Sequence, residues 1–147
     1  FTIITQEEML KTLSNILNVL TMAVGALGGI SLLVGGVGIV TIMTIAVTER
    51  TNEIGLMVAL GARRRTILGL FLGEAVALAA MAGLVGLLLG VGLAQLIGLF
   101  VPALPVHTPL SFVLLAEALA AAIGLAAGVL PARRAALLDP VEALRTE

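Results

Sequence analysis

Cysteine, tryptophan and tyrosine do not occur in this chain of 147 residues, and histidine occurs once. Without cysteine there is no disulfide framework and no thiolate metal site, and the redox compartment stays open. Without tyrosine or tryptophan, the aromatic belts that usually mark the two edges of a bilayer are missing. His107 has no second His, Cys or acidic residue near it in sequence, so it reads as a solvated loop residue and not a ligand. No nucleophile–base pair is recognisable, and the chain is not expected to be an enzyme. Charge is scarce too: 12% of residues are charged, where a soluble domain carries about 25%.

The chain is instead 60% hydrophobic, and its apolar residues come in long runs. No charged side chain lies between Lys11 and Glu49, between Glu74 and Glu117, or between Glu117 and Arg133. A helix needs about 20 apolar residues to cross a hydrocarbon core roughly 30 Å thick, and each of the first two gaps is long enough. The expected fold is an all-α integral membrane protein with three transmembrane helices. The net charge of −1 says little, because the distribution of charge matters and the total does not. The chain opens without an initiator Met on a polar, helix-starting segment that is no signal peptide. It has the look of a fragment of something larger.

Thr5-Gln6-Glu7-Glu8 has the form of a capping box, with the Thr hydroxyl aimed at the amide of Glu8. After it, Met9, Leu13, Ile16 and Leu20 recur at helical spacing opposite Lys11, Ser14, Asn15 and Asn18. No breaker separates this amphipathic stretch from the apolar run. A helix from Gln6 to Thr48 would be about 65 Å long at 1.5 Å per residue, so residues 1–22 are expected to stand out of the bilayer as a stalk on a first span at 23–48. That span is rich in glycine, and Gly25, Gly29 and Gly35 fall on small-xxx-small spacings that let helix backbones approach closely. The "GGVG" there is no nucleotide loop, since no Gly-Lys-Ser/Thr follows and no strand precedes it. A second span lies within 66–100, which is too long for a perpendicular crossing, so its cytoplasmic extension, with Glu74, is expected at headgroup level or in a protein interior; Gly86 and Gly90, with Gly83 and Gly92, suggest another contact face. Pro102, Pro105 and Pro109 enforce a loop over 101–109. A third span at 110–130 ends at Pro131, and a tail at 131–147 starts a short helix with Asp139 as cap and Pro140 at its first position.

Orientation follows from the basic residues. Arg50, Arg63, Arg64, Arg65, Arg133, Arg134 and Arg145 fall on one side of a three-span layout and only Lys11 on the other. The positive-inside rule then makes the 49–65 loop and the C-terminus cytoplasmic. That loop gathers six charged residues: Glu49, Arg50, Glu53, Arg63, Arg64 and Arg65. Ile54, Met57 and Val58 form an apolar patch beside them, and Gly61 suits a helix C-terminus. A short amphipathic helix at about 50–60 results. It is either an anchor in lipid headgroups or a docking element; Glu49 and Glu53 beside the patch favour a protein partner over anionic lipid.

The stretch "ISLLVGGVGIVTIMTIAVTERTNEIGLMVALGARRRTILGLFLGEAV" and the terminal "PARRAALLDPVEALRTE" closely resemble the C-terminal half of MacB/FtsX-type ABC transporter permeases. The likeness covers the chain from about Gly25 onward. It implies four spans in the family, a large extracytoplasmic domain between the first and second, and a coupling helix between the second and third that docks on the nucleotide-binding ATPase. This chain would hold the last three spans and the end of the stalk, in a bacterial inner membrane. Glu49, Arg50, Glu53, Ile54 and Met57 match the coupling motif, with Arg63 and Arg64 as further contacts or as topology determinants. Asp139, Glu142 and Arg145 are read as a structural cap or as more of the ATPase contact. The implied partners are an ABC ATPase subunit or domain, a second permease copy, a periplasmic adaptor and membrane lipid; nucleic acid is not among them. No cofactor is implied on this chain, ATP and Mg belonging to the ATPase. The implied action is mechanotransmission, in export or extraction of a substrate, or alternatively an FtsX-like relay to an outer partner without transport. An unrelated three-span channel would need polar-lined spans, which are nearly absent.

Glu74 matches a family position and is read as a packing or interface residue. Glu117 departs from the family pattern. An ionisable group inside a span is costly and functional by default; snorkelling, a polar contact with Gln95 or an outer loop, and a proton relay stay open.

Overall fold

A computed structural model describes residues 2–101 and 107–145. Pro102 and Pro105 of the expected proline loop, and the last two residues of the tail, lie outside the described residues. Every element is helical: α1 (Thr2–Glu49), α2 (Thr51–Ala59), α3 (Arg64–Phe100), α4 (Leu110–Ala136) and α5 (Pro140–Ala143). Among the described residues three helices, α1, α3 and α4, are long and apolar enough to cross a membrane. Hydroxyls in α1 and at its end turn back on the helix. Thr12, Thr21, Ser31, Thr41 and Thr44 each donate to the carbonyl four residues earlier, at 2.6–2.9 Å. A hydroxyl satisfied by its own helix can face hydrocarbon without an unpaired donor.

Two expectations about helix ends fail. α1 begins at Thr2, so Thr5 sits inside the first turns and does not cap; neither Gly nor Pro precedes it to turn the chain out of the helix. Pro131 does not end the third span, because α4 continues to Ala136. Proline withholds one N–H from the helix ladder, but here the ring is fully buried among Ala132, Ala135 and Ala136, all buried as well.

The chain divides into two units, 1–35 and 36–147. In the first, every side chain from Ile3 to Gly35 is exposed, so the apolar stripe of Leu13, Ile16 and Leu20 is left uncovered by its own unit.

In the second unit, α3 and α4 pack antiparallel through small residues. A Cβ placed on Gly128 would collide with that of Ala75, and one on Gly124 with that of Ala79. One turn further, the same construction at Gly83 meets the Ala120 Cβ at 3.0 Å and a Glu117 carboxylate oxygen at 2.8 Å. Each step of four along α3 is matched by a step of four back along α4. In lipid no water is released when helices meet, and such close packing is what holds them.

The buried core lies at one end of this pair. Met43 and Val47 of α1, Ile54 of α2, Ile67, Phe71 and Ala75 of α3, and Ala132, Ala135 and Ala136 of α4 converge there. Ile39, Met57, Val58, Leu72 and Leu138 pack around them.

Of the glycines expected to form contact faces, Gly83 does so within this chain, against Ala120. A Cβ at Gly25, Gly29, Gly35, Gly86 or Gly90 would meet nothing within 4 Å. Small-xxx-small spacing marks a face able to approach another helix, without saying which helix is opposite. The row Ala120, Gly124, Gly128, Ala132 carries that spacing on α4, matched by Ala75, Ala79 and Gly83 on α3.

Gly128→Leu is expected to force α3 and α4 apart at Ala75 and to cost about 1–3 kcal/mol, the usual range for overpacking. Gly90→Ala should leave the chain's own stability unchanged. Unfolding in graded SDS mixtures measures both, and equal effects would contradict the contact.

Candidate functional site

The joint between α1 and α3 is built around α2. Its C-terminal end is closed by Gly61, which adopts a φ of +96°. The Gly61 amide donates to the Val58 carbonyl at 3.0 Å and the Ala62 amide to Met57 at 2.9 Å. This is a Schellman cap, and the left-handed residue at its centre favours glycine. The expected helix stop at Gly61 is thus met.

Nine residues of helix give α2 an inner and an outer face. Ile54 is fully buried, and Met57 and Val58 pack against the core around it. Burying an Ile side chain is worth about 2 kcal/mol, enough to decide which way so short a helix faces. Glu49, Arg50 and Glu53 remain exposed. So do two residues that spacing did not single out, Leu56 at 54% and Leu60 at 79% exposure. Ile54 and Met57 were expected to touch a partner; they are instead held inward by the chain's own core. The exposed apolar surface of α2 is Leu56 and Leu60. The signal was present, since Leu56 follows Glu53 by three positions and Leu60 follows Leu56 by four.

Arg50 reaches toward α3, where an Nη atom lies 3.9 Å from a Glu74 Oε, with both side chains about half exposed. A pair so open contributes about 0–1 kcal/mol. It links the turn between α1 and α2 to α3. Arg63 precedes α3 with an extended backbone, and Arg63 and Arg64 are both exposed.

The tail returns to this joint. Asp139 caps α5 by accepting from the Val141 amide at 3.1 Å, and Pro140 stands at the first turn, as expected. α5 packs on α2 where Gly55 leaves room: a Cβ there would meet the Ala143 Cβ at 2.7 Å, with Leu144 and the Pro140 carbonyl at 3.8 Å. Gly55 has no positive φ, so close approach, and not backbone conformation, is what a side chain would upset. Thus the two motifs, one in the loop and one 80-odd residues later in the tail, are a single contact.

Glu117 is not turned toward solvent. One carboxylate oxygen is buried beside Gly83 and has no hydrogen-bond partner. Gln95 is exposed and does not pair with it. His107 is exposed.

Residues 25–140 match the family described as FtsX-like permease C-terminal. The chain is similar to the macrolide export ATP-binding/permease protein MacB of Marinobacter nauticus, 46% identical over 147 residues, which is 100% of this chain and 22% of that protein. It is similar to the MacB of Azoarcus sp. (strain BH72), 50% identical over 116 residues, 79% of this chain and 17% of that protein. The MacB of Syntrophobacter fumaroxidans is 44% identical over 147 residues, 100% of this chain and 20% of that protein. The chain therefore spans about a fifth of the length of these curated relatives.

Gly55→Val should release α5 from α2, with a loss of about 1–3 kcal/mol and faster proteolysis of the tail. Gly55→Ala combined with Ala143→Gly should restore protection. A tail equally protected in every variant would show that the two segments do not depend on each other.

Proposed function

The chain belongs to the FtsX-like permease family, and from that membership and the outward face of α2 we propose that it is the membrane part of an ABC export system. α2 is the coupling helix. Glu49, Arg50, Glu53, Leu56 and Leu60 form the surface that grips a nucleotide-binding ATPase on the cytoplasmic side, with Arg63 at its margin. The observation that carries this reading is a short helix anchored inward by Ile54 and presenting mixed charge with two exposed leucines outward. An anionic lipid surface would repel Glu49 and Glu53; a protein surface of complementary charge accommodates them.

ATP and Mg act on that ATPase and not on this chain. A stroke delivered to α2 enters α1 and α3 at either end of it. α1 is helical without a break from Thr2 to Glu49, which supports transmission along it to an extracytoplasmic stalk. The uncovered Gly25, Gly29, Gly35 and Gly86 suit close contact with another helix, either an earlier span or a second permease copy. The relatives' names favour export, macrolides being their printed substrate. The membrane is the bacterial inner membrane, with the basic ends of the spans inside, and a periplasmic adaptor would complete the assembly.

Because the chain has no cysteine, Leu56→Cys introduces a unique thiol in it. It should cross-link to the ATPase in the whole assembly, whereas Ile54→Cys should not. Glu53→Lys with Leu56→Asp is expected to weaken ATPase association at least tenfold, about 1.4 kcal/mol, with insertion intact. Association at the native level in that double variant would remove the coupling role.

A further inference from the structure

We propose that the cleft between the start of α3 and the end of α4 is a binding site for the headgroup of an anionic phospholipid of the phosphatidylglycerol type. The cleft is lined by Arg64, Arg65 and Leu68 from α3 and by Arg133, Ala136 and Leu137 from α4. Its polar side chains are thus three guanidinium groups, and no carboxylate is among them. The single ion pair among the described residues, Arg50 with Glu74, involves none of the three, and all three are exposed. Guanidinium groups fork onto phosphate oxygens with two parallel hydrogen bonds, a geometry that ammonium groups do not match.

The rest of the lining is apolar, and this decides between a lipid and an acidic protein segment. Leu68 and Leu137 flank the arginines and lead onto spans whose surfaces are leucine, alanine and valine. The cleft lies where α3 begins and α4 ends, at the basic ends of two helices long and apolar enough to cross a membrane. A phosphodiester held there leaves its acyl chains beside α3 and α4, in hydrocarbon. Basic clefts between spanning helices on the cytoplasmic side suit anionic headgroups on the same grounds. The site is separate from the α2 surface assigned to the ATPase. It rests only on the chain spanning a membrane, so failure of the coupling role would leave it standing.

The test uses the whole assembly, delipidated in detergent and offered either phosphatidylcholine or phosphatidylglycerol, with bound lipid counted by native mass spectrometry. Phosphatidylglycerol should be retained in preference to phosphatidylcholine, and excess inorganic phosphate should not displace it. Replacing Arg64, Arg65 and Arg133 together by Gln should weaken retention roughly a hundredfold, from about fivefold per basic side chain near an anionic surface; replacement by Lys should keep most of the charge-dependent part. Should the triple Gln variant fail to insert, Arg65→Gln alone must still give its fivefold. The proposal is overturned by equal retention of the two lipids, by displacement with inorganic phosphate, or by native retention in the Gln variants. It is equally overturned if those variants keep the lipid and lose the ATPase, since the cleft would then be a protein contact.

Discussion

α3 and α4 meet through two rows of residues that have almost no side chain. Ala75 and Ala79 on α3 meet Gly128 and Gly124 on α4 so tightly that no Cβ fits on either glycine without displacement. Between helices in lipid there is no water to exclude, so attraction depends on how many atoms the backbones bring within van der Waals reach. This contact positions the two helix ends that frame the buried core. From it follow the pocket that receives Ile54, the direction in which α2 faces, and the cleft lined by Arg64, Arg65 and Arg133.

The core is small and lies to one side, at the joint and not along the spans. α2 is short, and by itself a helix of nine residues is marginal in water. Here it is fixed by Ile54 below, by the Gly61 cap at its end and by α5 across Gly55. All three restraints act between Ile54 and Gly61, on one short helix and its cap.

Much of this was legible beforehand, for identifiable reasons. Two spans follow from the charge-free runs between Lys11 and Glu49 and between Glu74 and Glu117, because length and apolarity alone satisfy the cost of crossing a bilayer, and the third from the apolar stretch around Glu117. Gly61 and Asp139-Pro140 announce helix ends, because their chemistry acts within one turn. The family could be read from two motifs, and the match over residues 25–140 agrees with it. What went astray depended on the surroundings of a residue as well as on its own chemistry. Thr5 resembled a cap, yet its helix begins earlier. Pro131 resembled a stop, yet burial among alanines carries α4 past it. For the glycines, spacing found a partner within the chain at Gly83 and names no neighbour at Gly25, Gly29, Gly35, Gly86 or Gly90, because the same spacing repeats on several faces of several helices.

The same distinction applies to the candidate site. The sequence determined by itself that this chain has three helices long and apolar enough to cross a membrane, that its arginines gather at one set of helix ends, and that a short amphipathic helix joins two of them. These are properties of segments, set by composition and by periodicities of a few residues. Only the tertiary structure decided that Ile54 and Met57 point inward while Leu56 and Leu60 point out, and that the tail folds back on Gly55. It also decided that Arg133 shares a cleft with Arg64. An amphipathic pattern specifies two faces but not which neighbour each will meet, and that choice is made by packing between residues far apart in the chain.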